Sequence, residues 1–243
     1  MHYIDSVRCA GRKDGMDMKR EEKTHLWAGI GFLTVFLLWT ALIRRVDVQA
    51  VGPNGTKVGF AGFNLWFHKQ TGVHMTLYTI TDWLGLVPIA VCLGFGTVGF
   101  LQLIRRRSFL RVDPDLLLLG LYYILVILAY LVFEMIPINY RPILINGALE
   151  ASYPSSTTLL VLSVMPTLKL QMDRRTDHPL VRNVTGIFVA GFSAFMVTGR
   201  LMAGVHWATD IIGAVFLSAG LFLLYRYAVD AADRRREATD GIQ

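Results

Sequence analysis

The chain has 243 residues, of which 53% are hydrophobic, and its formal net charge at pH 7 is +6. Its charged residues are clustered and leave apolar runs of about 20 residues, the length that crosses a bilayer as a helix. This pattern excludes an ordinary soluble domain and predicts an all-α, polytopic membrane protein. Because basic residues of such proteins collect in cytoplasmic loops beside anionic lipids, the positive charge indicates no nucleic-acid partner.

Six apolar stretches follow one another along the chain. Residues 1–25 are polar and predict a solvated cytoplasmic tail rather than a cleavable signal peptide. We expect a six-helix membrane domain over residues 26–230 and a second cytoplasmic tail over residues 231–243. The predicted transmembrane helices cover approximately residues 26–43, 79–104, 116–135, 157–170, 184–197 and 207–227. The two cysteines, Cys9 and Cys92, lie far apart and indicate neither a disulfide nor a metal site.

Six spans place both termini on the same side of the membrane. Of the 24 Lys and Arg residues, 18 then lie on that side and 6 on the other. The positive-inside rule therefore predicts cytoplasmic termini, and we expect the protein in the bacterial plasma membrane. This orientation brings the polar loop between the third and fourth spans, together with residues 198–210, to the outer face.

Residues 198–210 contain an arginine, a histidine and an aspartate in an order that suits attack on phosphorus. On a helix, His206 and Asp210 would be four residues apart and share one face. A carboxylate can hold one imidazole nitrogen there and leave the other free as a nucleophile or base. Arg200 can bind phosphate oxygens through its planar guanidinium. The alternative is an ordinary His–Asp pair at a helix start, but ionisable groups at membrane spans are usually functional.

The loop between the third and fourth spans contains Arg141-Pro142 and, further on, the sequence Glu-Ala-Ser-Tyr-Pro-Ser-Ser-Thr-Thr at residues 150–158. A proline followed by hydroxyl residues predicts a helix N-terminus, where free backbone N–H groups form an anion site. Simple N-capping by Ser155 or Ser156 is the alternative interpretation. Because two arginines and a histidine are expected on the same face, we favour an oxyanion pocket.

These motifs resemble those of the type-2 phosphatidic acid phosphatase superfamily of membrane lipid phosphatases, whose active site is shared with vanadium haloperoxidases. The family carries K-x6-R-P, then P-S-G-H, then S-R-x5-H-x3-D. The resemblance covers approximately residues 80–230, with Gly199 in place of the usual serine and Ser156 in place of the usual glycine. The matching residues, in motif order, are Arg141 and Pro142, Pro154 and Ser155, and Arg200, His206 and Asp210.

The resemblance implies roles for these positions. His206 is expected to be the nucleophile that forms a phosphohistidine, and Asp210 is expected to orient it. The residues expected to hold the phosphoryl oxygens are Arg141, Ser155, Ser156, Thr157 and Arg200. Positive groups around these oxygens stabilise the transition state, so neither a metal nor another cofactor is expected. The expected partners are a lipid phosphate substrate and membrane lipids.

Two positions depart from the family pattern. Glu134 stands where the family has lysine, and Thr157 stands where it has the histidine that protonates the leaving group. Threonine is a poor general acid. The candidate replacements are Glu150, His74 and Glu134, since a carboxyl group in a partly apolar site can act as an acid. We prefer Glu150 because it lies four residues before Pro154.

The leading hypothesis is an integral membrane phosphatase that hydrolyses a lipid phosphate or diphosphate at the outer leaflet. One alternative is a lipid phosphotransferase, in which an acceptor hydroxyl replaces water. Another is a non-catalytic relative that binds a lipid phosphate, suggested by the missing lysine and histidine. A transporter that uses Asp82 and Asp210 as a proton relay is a further alternative.

Overall fold

The computed structural model of the chain describes residues 2–240 and is helical over most of them. This confirms the all-α prediction. The helices are α1 (His2–Ile43), α2 (Ala61–Thr71), α3 (Met75–Leu84), α4 (Leu86–Arg106), α5 (Pro114–Met135), α6 (Ser156–Arg175), α7 (Pro179–Met202) and α8 (Ala208–Asp240).

Within residues 2–240, five helical segments are long and apolar enough to cross a membrane. One of them joins α3 and α4, because Gly85 between these helices also has helical backbone angles. The segments are Arg20–Ile43, Met75–Arg106, Pro114–Met135, Pro179–Met202 and Ala208–Arg236. The remaining predicted span, residues 157–170, lies within α6, which is less apolar. The number of six spans therefore stays a prediction.

Helix α6 is polar because it lies inside the bundle, packed against α4, α5, α7 and α8. Thr167 and Gln171 of α6 are fully buried. The Thr167 hydroxyl lies 2.7 Å from that of Tyr123, and Gln171 donates from Nε2 to the Tyr225 hydroxyl at 3.0 Å. Neighbouring helices thus satisfy polar groups that lipid could not.

Helices α1 and α8 pack along each other in opposite directions. At one end, Arg234 of α8 donates to Glu22 of α1 at 3.0 Å. At the other end, Trp39 of α1 donates through its indole nitrogen to the carbonyl of Thr209 at 3.1 Å. Residues 2 and 240 therefore belong to the same end of the bundle, and the start of α8 lies at the opposite end. Helix α1 also runs without a break through residue 25, where the predicted tail ends.

Candidate active site

A polar cavity of about 230 Å³ lies at the end of the bundle opposite the termini. The segment between α5 and α6, the start of α6 and the turn before α8 all contribute to its wall. Its lining includes Glu134, Arg141, Glu150, Ser152, Ser156 and His206. Residues that are distant in sequence, from three of the predicted motifs, thus meet at one place.

The segment between α5 and α6 is a short hairpin that places several of these residues. Its two central turn residues, Asn146 and Gly147, have φ values of 50° and 79°. Ile145 and Ala148 flank the turn and exchange backbone hydrogen bonds of 3.1 and 2.9 Å. Asn-Gly is the preferred pair for such a two-residue turn, because both positions need positive φ.

The arms of the hairpin pair in antiparallel fashion around a bridge between Tyr140 and Ala151. The backbone N–H of Arg141 donates to the Glu150 carbonyl at 3.1 Å, and that of Ser152 donates to the Asn139 carbonyl at 2.9 Å. This pairing fixes the side chains of both arms relative to one another.

A sharp turn at Gly204 joins α7 to α8. Gly204 has a φ of +69°, and a Cβ atom there would lie 2.0 Å from the carbonyl oxygen of Gly72. Only glycine fits both the backbone angle and the close approach. Because α8 begins at Ala208, His206 lies before the helix. The expectation that His206 and Asp210 share one helical face is therefore wrong.

Ser152 connects Asp210 to His206. Its hydroxyl donates to Oδ2 of Asp210 at 2.5 Å and lies 3.0 Å from Nδ1 of His206. Asp210 also accepts hydrogen bonds from Nδ2 of Asn139 at 3.1 Å and from the backbone N–H of Trp207 at 3.0 Å. The carboxylate therefore orients the imidazole through a serine.

The surroundings of His206 favour one neutral tautomer. Nε2 of His206 lies 3.5 Å from Nη2 of Arg200, and arginine can only donate, so Nε2 presents its lone pair. Nδ1 then carries the proton and donates to the hydroxyl and the carbonyl of Ser152, the latter at 3.2 Å. Burial of the ring, assisted by the charges of Arg141 and Arg200, holds the pKa of His206 well below its ordinary 6.5. At neutral pH the ring is an uncharged base with a free Nε2.

Two buried arginines lie beside this ring. Arg141 is 7% exposed and Arg200 is 1% exposed. In each, Nε and Nη1 have no hydrogen-bond partner among the residues that the structure describes. The ring of Tyr78 lies under both guanidinium groups, 4.9 Å from that of Arg200 and 5.8 Å from that of Arg141. Buried guanidinium N–H groups without acceptors favour an anionic ligand.

Each arginine also has a carboxylate neighbour. Nε of Arg141 lies 3.0 Å from Oε2 of Glu150, although the angle does not suit a hydrogen bond. Nη1 of Arg200 lies 3.6 Å from Oδ1 of Asp82, which is largely exposed. These contacts leave N–H groups of both arginines available to further acceptors.

The three predicted hydroxyl residues have different surroundings. Ser156 lines the cavity. Ser155 is fully buried, and its hydroxyl donates to that of Thr158 at 3.1 Å. Thr157 lines a neighbouring apolar groove instead. Their assignment to phosphate binding stays a prediction, which this geometry favours for Ser156 above the other two.

The three candidates for the proton donor are also placed differently. Glu150 and Glu134 both line the cavity. His74 precedes α3, is exposed, and its Nε2 lies 2.8 Å from the carbonyl oxygen of Thr71. The structure thus brings two carboxyl groups to the site and leaves His74 outside the cavity wall.

Three residues of the site were not predicted from the sequence: Tyr78, Asn139 and Ser152. The Asn146-Gly147 pair is a recognised hairpin signal, and its position between Arg141 and Glu150 could have indicated that Asn139 faces Ser152. Nothing in the sequence pattern connects Tyr78 to the arginines.

Comparisons with known proteins agree with this architecture. A family model described as the PAP2 superfamily matches residues 91–234, more than half of the chain. Among solved structures, the "first transmembrane PAP2 type phosphatidylglycerolphosphate phosphatase from Bacillus subtilis" aligns with a TM-score of 0.59. The alignment has 17% sequence identity and covers 82% of this chain and 94% of the other, which shows a shared fold. A comparison with curated protein sequences finds no match.

Proposed function

Because this chain belongs to the PAP2 superfamily, we propose that it is an integral membrane phosphatase that removes a phosphate or diphosphate group from a lipid. The observation that carries the proposal is the geometry of His206, whose Nδ1 lies 3.0 Å from the Ser152 hydroxyl and whose Nε2 lies 3.5 Å from Nη2 of the buried Arg200. A neutral imidazole with one nitrogen anchored and the other beside a cationic site is suited to attack phosphorus.

The phosphoryl group is held by the two arginines and by the start of α6. N–H groups of Arg141 and Arg200 that lack acceptors can bind its oxygens. Ser156, the first residue of α6, lines the same cavity, so the positive end of the helix dipole also faces the bound anion. These groups are in place before the substrate arrives and stabilise the charge that develops in the transition state.

In the first chemical step, Nε2 of His206 attacks phosphorus and the bond to the lipid oxygen breaks, which leaves a phosphohistidine. The proton stays on Nδ1, which continues to donate to the Ser152 hydroxyl, and Asp210 stabilises the resulting positive ring through that hydroxyl. Water then attacks phosphorus, phosphate leaves and His206 is restored. A carboxyl group of the cavity supplies the proton to the lipid oxygen, and Glu150 is the donor expected from the sequence. The mechanism needs no metal.

An apolar groove of about 260 Å³ supports a lipid as the substrate. It adjoins the polar cavity, since Tyr130, Ser156 and Leu159 line both. The rest of its wall is mainly aliphatic and includes Leu86, Ile89, Val126, Ile127 and Leu160. A hydrocarbon chain lying in the groove would bring its phosphate to His206. The distribution of basic residues supports an orientation with this end of the bundle at the outer leaflet and both termini in the cytoplasm.

The test is phosphate release from a panel of lipid phosphates by detergent-purified protein in the presence of a chelator. The panel contains phosphatidic acid, phosphatidylglycerol phosphate and a polyprenyl diphosphate. We expect release from at least one of them by the wild type, and a loss of at least about 1000-fold in His206→Asn, as for other lost nucleophiles. A His206→Asn protein that melts like the wild type and hydrolyses the lipid at the same rate would overturn the proposal. Adding an alcohol acceptor distinguishes hydrolysis from phosphoryl transfer.

A further inference from the structure

We propose that Glu134 protonates the leaving lipid oxygen and then activates the water that hydrolyses the phosphohistidine. The inference rests on the proposed function and assigns to one residue a role that the mechanism requires. It differs from the sequence-based preference for Glu150, and the contacts of the two carboxyl groups are the reason.

Few groups of the cavity can transfer this proton. Thr157 faces the apolar groove and is a poor acid. His206 is the nucleophile. The hydroxyl of Tyr153 lies 2.7 Å from that of Thr40, and burial raises the pKa of Tyr153 further above its ordinary value of 10. The carboxyl groups Glu134 and Glu150 remain, beside the phenol of Tyr130.

Glu150 is engaged with Arg141. Its Oε2 lies 3.0 Å from Nε of the arginine side chain. Its backbone carbonyl accepts a hydrogen bond of 3.1 Å from the backbone N–H of Arg141. Side chain and backbone of Glu150 together hold Arg141 in position. This arrangement suits a residue that aims a phosphate-binding arginine more than one that exchanges protons with the substrate.

Within the part of the chain that the structure describes, Glu134, in contrast to Glu150, is not paired with an arginine. It lies in the last turn of α5 and lines the cavity, and among the contacts of residues 2–240 its carboxyl group has neither a hydrogen bond nor an ion pair. It is also exposed, so that water can reach it. The ionisable groups that share the cavity with it are Tyr130 from the same helix, Arg141, Glu150 and Tyr153 from the segment between α5 and α6, and His206 from the turn before α8.

The negative charge of the substrate bears on the proton that Glu134 must carry. A phosphate group bound by Arg141 and Arg200 brings negative charge into the cavity, and like charges at close range disfavour a second anion. A neutral carboxylic acid is therefore better accommodated beside the bound phosphate than a carboxylate is. Once the lipid alcohol has left with the proton, the Glu134 carboxylate is ready to accept one from water.

The two chemical steps together account for every bond and proton. In the first, Nε2 of His206 forms a bond to phosphorus, the P–O bond to the lipid breaks, and the Glu134 proton moves to the leaving oxygen to give the alcohol. In the second, the Glu134 carboxylate takes a proton from water, the water oxygen bonds to phosphorus, and the P–N bond breaks. Inorganic phosphate leaves, and both side chains return to their starting forms.

The experiment compares Glu134→Gln with the matched variant Glu150→Gln on two substrates. One is the best lipid phosphate of the panel, whose alcohol needs a proton in order to leave. The other is 4-nitrophenyl phosphate, whose phenolate leaves without one. For Glu134→Gln we expect a loss of about 100- to 10,000-fold on the lipid. On 4-nitrophenyl phosphate we expect a burst in which each enzyme molecule releases its first nitrophenolate as fast as the wild type does. Slow turnover should follow this burst. For Glu150→Gln we expect the activity on both substrates to fall by the same factor, because Arg141 would bind the phosphate group more weakly.

Two results would overturn the inference. One is an equal loss on both substrates in Glu134→Gln, with no burst, in a protein that melts like the wild type. The other is the selective pattern in Glu150→Gln, which would restore the sequence-based assignment. A wild type inactive on every substrate would instead contradict the proposed function itself, so the two failures are distinguishable.

Discussion

At the scale of single residues, the site depends on Ser152 as well as on the residues of the three motifs. Ser152→Ala removes the hydroxyl that accepts from His206 and donates to Asp210. A hydrogen bond to a charged group contributes about 1.5–3 kcal/mol, so we expect kcat to fall about 10- to 100-fold with little change in KM. Ser218→Ala is the matched control, because Ser218 is equally buried but donates to the carbonyl of Val215 within its own helix, α8. Wild-type kcat in Ser152→Ala would contradict the bridging role.

A second prediction concerns the protonation of His206. Because burial and the neighbouring positive charges lower the pKa of His206, the ring stays neutral as the pH falls through about 6.5. Nitrogen NMR of ¹⁵N-histidine-labelled protein should show one neutral, Nδ1-protonated ring that is absent in His206→Asn. Arg141→Gln removes a positive neighbour and should raise the pKa of His206 towards 6.5. A ring that titrates near 6.5 in the wild type would contradict the geometry.

The sequence predicted the residues whose chemistry is unusual next to a membrane, namely Arg141, Arg200, His206 and Asp210. It did not predict how they are connected. Ser152 stands two residues before a proline in a hydroxyl-rich stretch, where serine is common in any helix-start region. Its role depends on hairpin pairing and on the turn at Gly204, which are long-range features that a local pattern does not contain.

At the scale of elements, the hairpin between α5 and α6 is the part that positions Arg141 and Ser152. Gly147→Ala leaves open space around the new Cβ but forces a side chain to adopt a φ of +79°. A left-handed backbone costs an L-residue roughly 1–2 kcal/mol. We expect a lower melting temperature, by about 2–4 °C per kcal/mol, together with a lower kcat/KM.

Gly191→Ala is the matched control for this substitution. Gly191 also has open space around a new Cβ, but it lies in the middle of α7 with helical angles. Alanine is favoured over glycine there by about 1 kcal/mol, so the melting temperature should rise or stay unchanged. Equal effects of the two substitutions would show that the turn geometry is unimportant.

Helix α6 explains why one predicted span differs in character from the others. The pattern of residues 157–170 indicated a membrane helix, and a helix is present. Its buried faces meet protein on several sides, so Thr167 and Gln171 can be polar. Residues that face lipid must be apolar, whereas residues that face other helices can be polar. A helix enclosed by other helices therefore has a lower mean hydropathy.

At the scale of the whole molecule, the directions of the helices determine which helix ends meet at the cavity. The antiparallel packing of α1 and α8 separates the chain ends from the cavity, and the other helices bring the start of α6 and the end of α7 to the cavity side. The all-α membrane architecture was predictable, because long apolar runs allow few other structures. The arrangement of helices around α6 was not, since it depends on packing between elements distant in sequence.

The central claim is that His206 carries the phosphoryl group during turnover. The most direct measurement is a rapid acid-free quench of purified protein mixed with ³²P-labelled lipid phosphate, followed by separation of labelled protein. We predict a phosphoenzyme that is stable in alkali and labile in acid, is located on the peptide containing His206 and is absent from His206→Asn. Steady phosphate release by the wild type with no labelled protein at any time, or with the label on another residue, would contradict the account.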